Sequence, residues 1–273
     1  MNKLTASLIL VFLLLDGLRA EQTPRDRVTE IVLAIQRSDY EGNRAALKQQ
    51  YDQLTPFLDN KELASRVRYW RGFARWRDGI NAGNESIAPE EMEKLFLAGE
   101  DEFKAALALD PAFVDAKVGL ISCLGHCVYF HRAEKERAQE MVKPIFALVS
   151  EAKAAAPDNP RLIWIMGPIL FYTPPEKGGG MDKVIENNER GVAIASQLKP
   201  PADKLEPSWG KPELLMSLAY EYMTKNPPDL DKAEKNAQAA LEIVPYWHYV
   251  RDILMAQIVA AKNKTKSTAE NGR

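Results

Sequence analysis

From Thr23 onward, apolar positions recur at helical rather than strand spacing. Val28, Ile31, Val32 and Ile35 form one stripe behind Thr23, a capping residue, and Pro24, which suits a first helical turn. Gly42 breaks the run. A second helix is expected from about Asn43 to Leu58, with Leu47, Tyr51, Leu54 and Leu58 turned inward, packed antiparallel to the first. A third is expected over about Lys61 to Ile80. Its Tyr69, Phe73, Trp76 and Ile80 fall at i, i+4, i+7 and i+11, the spacing of one buried face. The loop NAGNESIAPEE leads to a fourth helix that opens at Pro89, carries Met92, Phe96, Phe103 and Leu107, and stops before Asp110-Pro111.

An inward residue, an alanine three later and a proline five after that recur along the chain. The sets are Phe103/Ala106/Pro111, Val149/Ala152/Pro157, Val192/Ala195/Pro200 and Ala237/Ala240/Pro245. The prolines lie 46, 43 and 45 residues apart, and new helices are expected soon after Pro111, Pro157 and Pro245. A helix pair with an apolar face it cannot bury alone must stack on a neighbour, which predicts a solenoid.

The recurrence resembles the tetratricopeptide repeat, a helix–turn–helix unit of about 34 residues. Pro157-Asp158-Asn159-Pro160, Met166-Gly167 and Leu170 make the best single match. The resemblance implies that a small residue in the first helix lets the second lie close, and that the proline ends the second. Ala233, Ala237 and Ala240 supply such a small stripe, facing Leu218, Ala219 and Tyr222. The intervals exceed that period by about ten residues, so the units are divergent. The expected fold class is all-α, a tetratricopeptide-like helical-repeat solenoid of antiparallel helix pairs.

Residues 1–20 read as a cleavable secretory signal. Lys3 precedes an apolar run, Leu4 to Leu15, that is too short to span a bilayer, and Ala20 suits the residue before a cut. Residues 21–60 then form the N-terminal helical pair, and 61–262 the divergent repeats, capped by a helix from Tyr249 to Ala261. Residues 263–273 are polar and expected to be a disordered tail. No later stretch is long and apolar enough for a membrane helix, so no span is expected after signal cleavage. The expected location is periplasmic or secreted.

Composition narrows function without choosing it. The chain is 46% hydrophobic with a formal net charge of −2, and lacks the basic excess of a nucleic-acid binder. Two cysteines, Cys123 and Cys127, make no disulfide framework. No Ser/His/Asp order, paired-carboxylate signal or His-Glu metal motif stands out. Neither enzymatic chemistry nor a resident cofactor is therefore expected.

Four features compete as sites. Arg68, Arg71 and Arg75 fall at i, i+3 and i+7, off the aromatic stripe of the third helix. Such a row suits gripping carboxylates of a protein or peptide partner; the simpler reading is a face paired with Glu93, Glu100 or a neighbour. Cys123, Cys127 and His131 share a helix face at i, i+4 and i+8 and offer zinc or copper donors, but one helix cannot close a tetrahedron. Two packed thiols and a surface histidine are the simpler reading, and no metal site is assigned. Gly178 to Gly180 lead into a helix at Met181-Asp182, where free N–H groups can hold an anion, although Asp182 would repel it. His248 stands among Tyr246, Trp247 and Tyr249, which suggests packing.

Asn159-Pro160-Arg161, Gly167, Phe171 to Pro174, Gly178 to Gly180 and Trp209-Gly210 are similar to residues shared by a group of exported bacterial tetratricopeptide proteins. That resemblance implies an exported helical repeat and brings no assigned activity. Trp209 is expected to staple the helix start at Pro212. The leading functional expectation is a protein- or peptide-binding scaffold of the cell envelope, its partner held on the concave face. The alternative is a small-molecule-binding accessory protein of an uptake system. A metal-using enzyme built on the Cys/His helix is a third reading.

Overall fold

The computed structural model describes residues 22–271, so the signal segment expected over 1–20 lies outside them. Among the described residues there are eleven α-helices and no strand. They are α1 (Pro24–Tyr40), α2 (Arg44–Gln53), α3 (Ala64–Ala82), α4 (Pro89–Leu109), α5 (Val114–Phe130) and α6 (Lys135–Ala155), then α7 (Pro160–Tyr172), α8 (Met181–Ala195), α9 (Lys211–Thr224), α10 (Leu230–Ile243) and α11 (Met255–Asn271). Their starts follow local chemistry. The Thr23 hydroxyl accepts from the Asp26 N–H while the Asp26 carboxylate accepts from the Thr23 N–H, and Asn43, Asn159 and Asp229 cap α2, α7 and α10.

The helices form the all-α repeat architecture that the sequence predicts. Consecutive helices pair except α6 with α7, and odd-numbered ones also stack on one another: α1 on α3, α3 on α5, α5 on α7 and α7 on α9. They make an inner layer, with α4, α6, α8 and α10 outside it. Ala106, Ala152 and Ala240 are fully buried where the repeat requires a small residue, as are Ala233 and Ala237. The third recurrence behaves differently. Ala195 is only partly buried, and Pro200 lies within an irregular segment that runs from Ser196 to α9 at Lys211.

That segment, 196–210, is a strap that turns back to the first helices. Leu205 and Trp209 are buried on it. The Trp70 indole donates to the Leu205 carbonyl at 2.8 Å, Arg66 meets Glu206 at 2.6 Å, and Arg25 meets Asp203 at 2.9 Å. One buried core holds α1 to α7 together with the strap, so the N-terminal pair and the first repeats share it. A second holds α8 to α11 and reaches Tyr40 at the end of α1, whose ring lies 4.9 Å from that of Trp247. The cluster around His248 is therefore packing.

The closing helix differs from expectation. It is helical from Tyr249, as expected, with a π-helical stretch over Tyr249–Leu254, but α11 then runs on to Asn271, through most of the polar stretch expected to be disordered. Its residues are mostly helix-permissive, and Lys262 ties it to α10 through Asp231 and Glu234.

Candidate functional site

Arg68, Arg71 and Arg75 of α3 are engaged by neighbouring side chains of the fold. Arg71 donates to Glu102 at 2.7 Å, to the Tyr51 carbonyl at 2.7 Å and to the Thr55 hydroxyl at 2.6 Å, and its guanidinium lies over the Tyr51 ring. Arg68 takes the other Glu102 oxygen at 2.9 Å. Arg75 lies over Tyr51 and 3.7 Å from Asp78. The Arg71 side chain is 7% exposed and that of Arg68 33%. The row joins α2 to α4 across α3, with Glu102 as the acid in place of Glu93 or Glu100.

The inner layer closes around an aromatic hub. Trp76 packs against Trp164 and Trp209 at ring separations of 6.0 and 5.5 Å, and the Trp209 indole donates to the Tyr69 hydroxyl. Beside it lies a buried charge network. Arg77 donates to Asp39 at 2.7 Å, Tyr40 donates to Glu213 at 2.7 Å, and Asn81 donates to Asp39. Burial works against the Arg77 charge, yet Asp39 and Glu213 hold it firmly protonated. Burial also raises the Glu213 carboxyl, and Arg77 offsets part of that rise. This network links α1 and α3 to α9.

The shared motif residues are scaffolding of the same kind. Arg161 grips Asp115 with two nitrogens, at 2.6 and 3.1 Å, and donates a third bond to the Trp209 carbonyl. Asn159 donates to the same Asp115. A Cβ on Gly210, whose φ is +126°, would sit 3.1 Å from Arg161 Cγ. Trp209 thus fills the hub, a larger role than stapling one helix.

The glycine loop folds back on the end of α7. The N–H groups of Gly178, Gly179 and Gly180 bond to the carbonyls of Pro175, Pro174 and Leu170. All three glycine donors are engaged, two within the loop and one with α7, so the glycines themselves offer none to an anion. A Cβ on Gly179 would meet the Thr173 carbonyl oxygen at 2.0 Å, so close backbone approach explains the glycine.

The Cys/His helix does not assemble a donor set. Cys123 and Cys127 are buried free thiols; burial pushes Cys127 up to about 12 and Cys123 well above its ordinary value. His126 stacks on Phe96 at 4.2 Å, and burial, with Arg77 nearby, lowers it to about 4. His131 is held between Glu134 and Glu93, both at 2.7 Å, which raise its pKa. Among the described residues no three such side chains converge on one point.

What remains open is a rim. α5, α7 and α9 stack in series, and each carries exposed aromatic rings in or near its last turn. Tyr129, Phe171, Tyr172 and Tyr220 project there, 47%, 49%, 71% and 48% exposed. The rings of Phe171 and Tyr172 meet edge to face at 5.2 Å, and the Arg132 guanidinium covers Tyr129 at 4.0 Å. Exposed aromatic rings, with Phe171 and Tyr172 side by side, are suited to stacking. Sequence reasoning used Phe171 and Tyr172 only as motif letters. Their exposure at the end of α7 was the missing signal. A shallow hollow of about 350 Å³ on α6 is lined by Ala138, Gln139, Val142, Lys143 and Phe146.

No protein-family model matches the chain, and no curated protein matches it. Among solved structures it is similar to the HusA haemophore from Porphyromonas gingivalis, at 21% identity and a TM-score of 0.53. The match covers 68% of this chain and 87% of that one. This likeness concerns the fold.

Proposed function

We propose that this chain is an exported small-molecule-binding accessory protein, taking a planar, largely apolar ligand such as haem on its aromatic rim. The observation that carries the reading is where the chain spends its inner face. A peptide-binding solenoid needs an open concave groove, and here the strap places Leu205 and Trp209 against α3 and α7. The arginines expected to grip a peptide are turned to Glu102 and Tyr51. The rim keeps its aromatic rings in solvent. The haemophore with a similar fold supports a carrier over a scaffold, and over an enzyme. No described helix is long and apolar enough to cross a membrane, which fits export into the periplasm or beyond.

Absorbance titration of the purified mature protein with haem, and with an iron-free porphyrin, tests this. Binding should perturb the absorbance band. Replacing Phe171 and Tyr172 with alanine should weaken it about tenfold or more, since each stacking contact contributes roughly 0.5–1.5 kcal/mol. No perturbation by either compound, or equal affinity in the double variant, would remove the proposal.

A further inference from the structure

Glu221 is the odd carboxyl of this fold. It lies on α9, 7% exposed, against α8 and near α10. One oxygen accepts from the Asn188 amide at 2.6 Å, and the other has no hydrogen-bond partner. Asn188 is fully buried, and its own amide oxygen accepts from Asn187, which also donates to the Ile163 carbonyl of α7. A Cβ at Gly167 would only just touch Asn188, so the seam there is not crowded.

No cation answers this carboxyl. On α8, Glu189 is bonded to the Tyr222 hydroxyl and Asp182 lies 3.7 Å from Lys225 of α9. On α10, Lys232 lies near Tyr222 and Asp229. From α7 the seam receives the Trp164 indole, which donates to Ser217 one turn before Glu221. Among the described residues no ion pair reaches Glu221. A buried carboxylate whose partner is one neutral amide is costly, whereas the protonated acid fits.

The geometry points to Glu221 as a proton-operated clasp: protonated, it closes the α8–α9 seam, and its ionisation loosens the C-terminal unit. The inference stands whether or not the rim binds a ligand. Burial raises this carboxyl to about 7 from an ordinary 4.5, with the Asn188 bond opposing the rise. The folded pKa lies above the unfolded one, so the closed seam binds the extra proton between those values. Its stability is fully present below about 4.5, declines as pH rises toward 7, and is flat above.

Hydrogen exchange on the full chain at pH 5 and 7.5, corrected for intrinsic exchange rates, reads this locally. Protection of α8 and α9 amides should fall at least tenfold at the higher pH, since each unit within the window is worth a factor of about ten. Glu221→Gln should abolish that difference. Should the variant fail to fold, carbon-detected NMR of the wild-type side-chain carboxyls decides, with one glutamate titrating near neutrality. Protection independent of pH, or every glutamate titrating in the ordinary range, overturns the proposal.

Discussion

The indole of Trp209 donates to the hydroxyl of Tyr69 across 2.9 Å, joining residues 140 positions apart. The bond fixes the strap to the first repeat and closes the inner face. Around it, Trp209 meets Phe73, Trp76 and Trp164. Trp209→Ala should cost about 3–5 kcal/mol, the usual loss for a buried large aromatic. Trp209→Phe keeps part of the packing and should cost less. Denaturant unfolding measures both, and a Trp209→Ala midpoint equal to wild type would show that the strap is not a structural tie.

Arg71 and Glu102 are both buried and charge-paired at 2.7 Å. Glu102→Ala leaves the Arg71 charge buried without its acid and should destabilise by about 3–5 kcal/mol, while Arg71→Ala should cost less because Arg68 still pairs with Glu102. The double variant should lose much less than the sum. Additive losses in that cycle would mean that the two residues do not act on each other.

Two glycines should respond in opposite ways. At Gly179 an added Cβ meets the Thr173 carbonyl at 2.0 Å, whereas at Gly125 of α5 nothing lies within 4 Å. Gly179→Ala should lower the melting temperature by several degrees, while Gly125→Ala should raise stability by about 0.5–1 kcal/mol through helix propensity. A neutral Gly179→Ala would contradict the close backbone approach.

His126 sets a pH dependence opposite to that of Glu221. Its folded pKa, about 4, lies below the ordinary 6.5, so the unfolded chain binds more protons between the two. The associated stability is present above about 6.5 and is lost as pH falls toward 4. The loss is on the order of 3 kcal/mol. His126→Phe should flatten this part of the acid-side stability curve in equilibrium unfolding. The two windows overlap with opposite slopes, so global melting blurs them, while hydrogen exchange separates α5 from α8 and α9. An unchanged acid limb in His126→Phe would place the depressed group elsewhere.

Much of the architecture was legible before any coordinates. Helical spacing marked Tyr69, Phe73 and Trp76 as one buried face, and the alanine–proline recurrence marked Ala106, Ala152 and Ala240 as packing positions. These are local signals, carried by residues within a turn or two of each other, where a 3.6-residue period decides what is buried. The same logic failed at Ala195 and Pro200, because a period cannot report that the next segment leaves the repeat to cross the molecule.

The sequence by itself determined an all-α chain, its helix starts and the small-residue code of its repeats, because these depend on near neighbours. Only the tertiary structure decided what the polar residues and the odd motifs are for. Arg71 became an internal tie because Glu102 and Tyr51 arrive from other helices. Asn159, Arg161, Trp209 and Gly210 became one joint because α7 and the strap meet there. Tyr129, Phe171, Tyr172 and Tyr220 stayed exposed because no helix among the described residues covers them. Each of these meetings is set by how whole helices stack, a long-range outcome that no window of sequence contains.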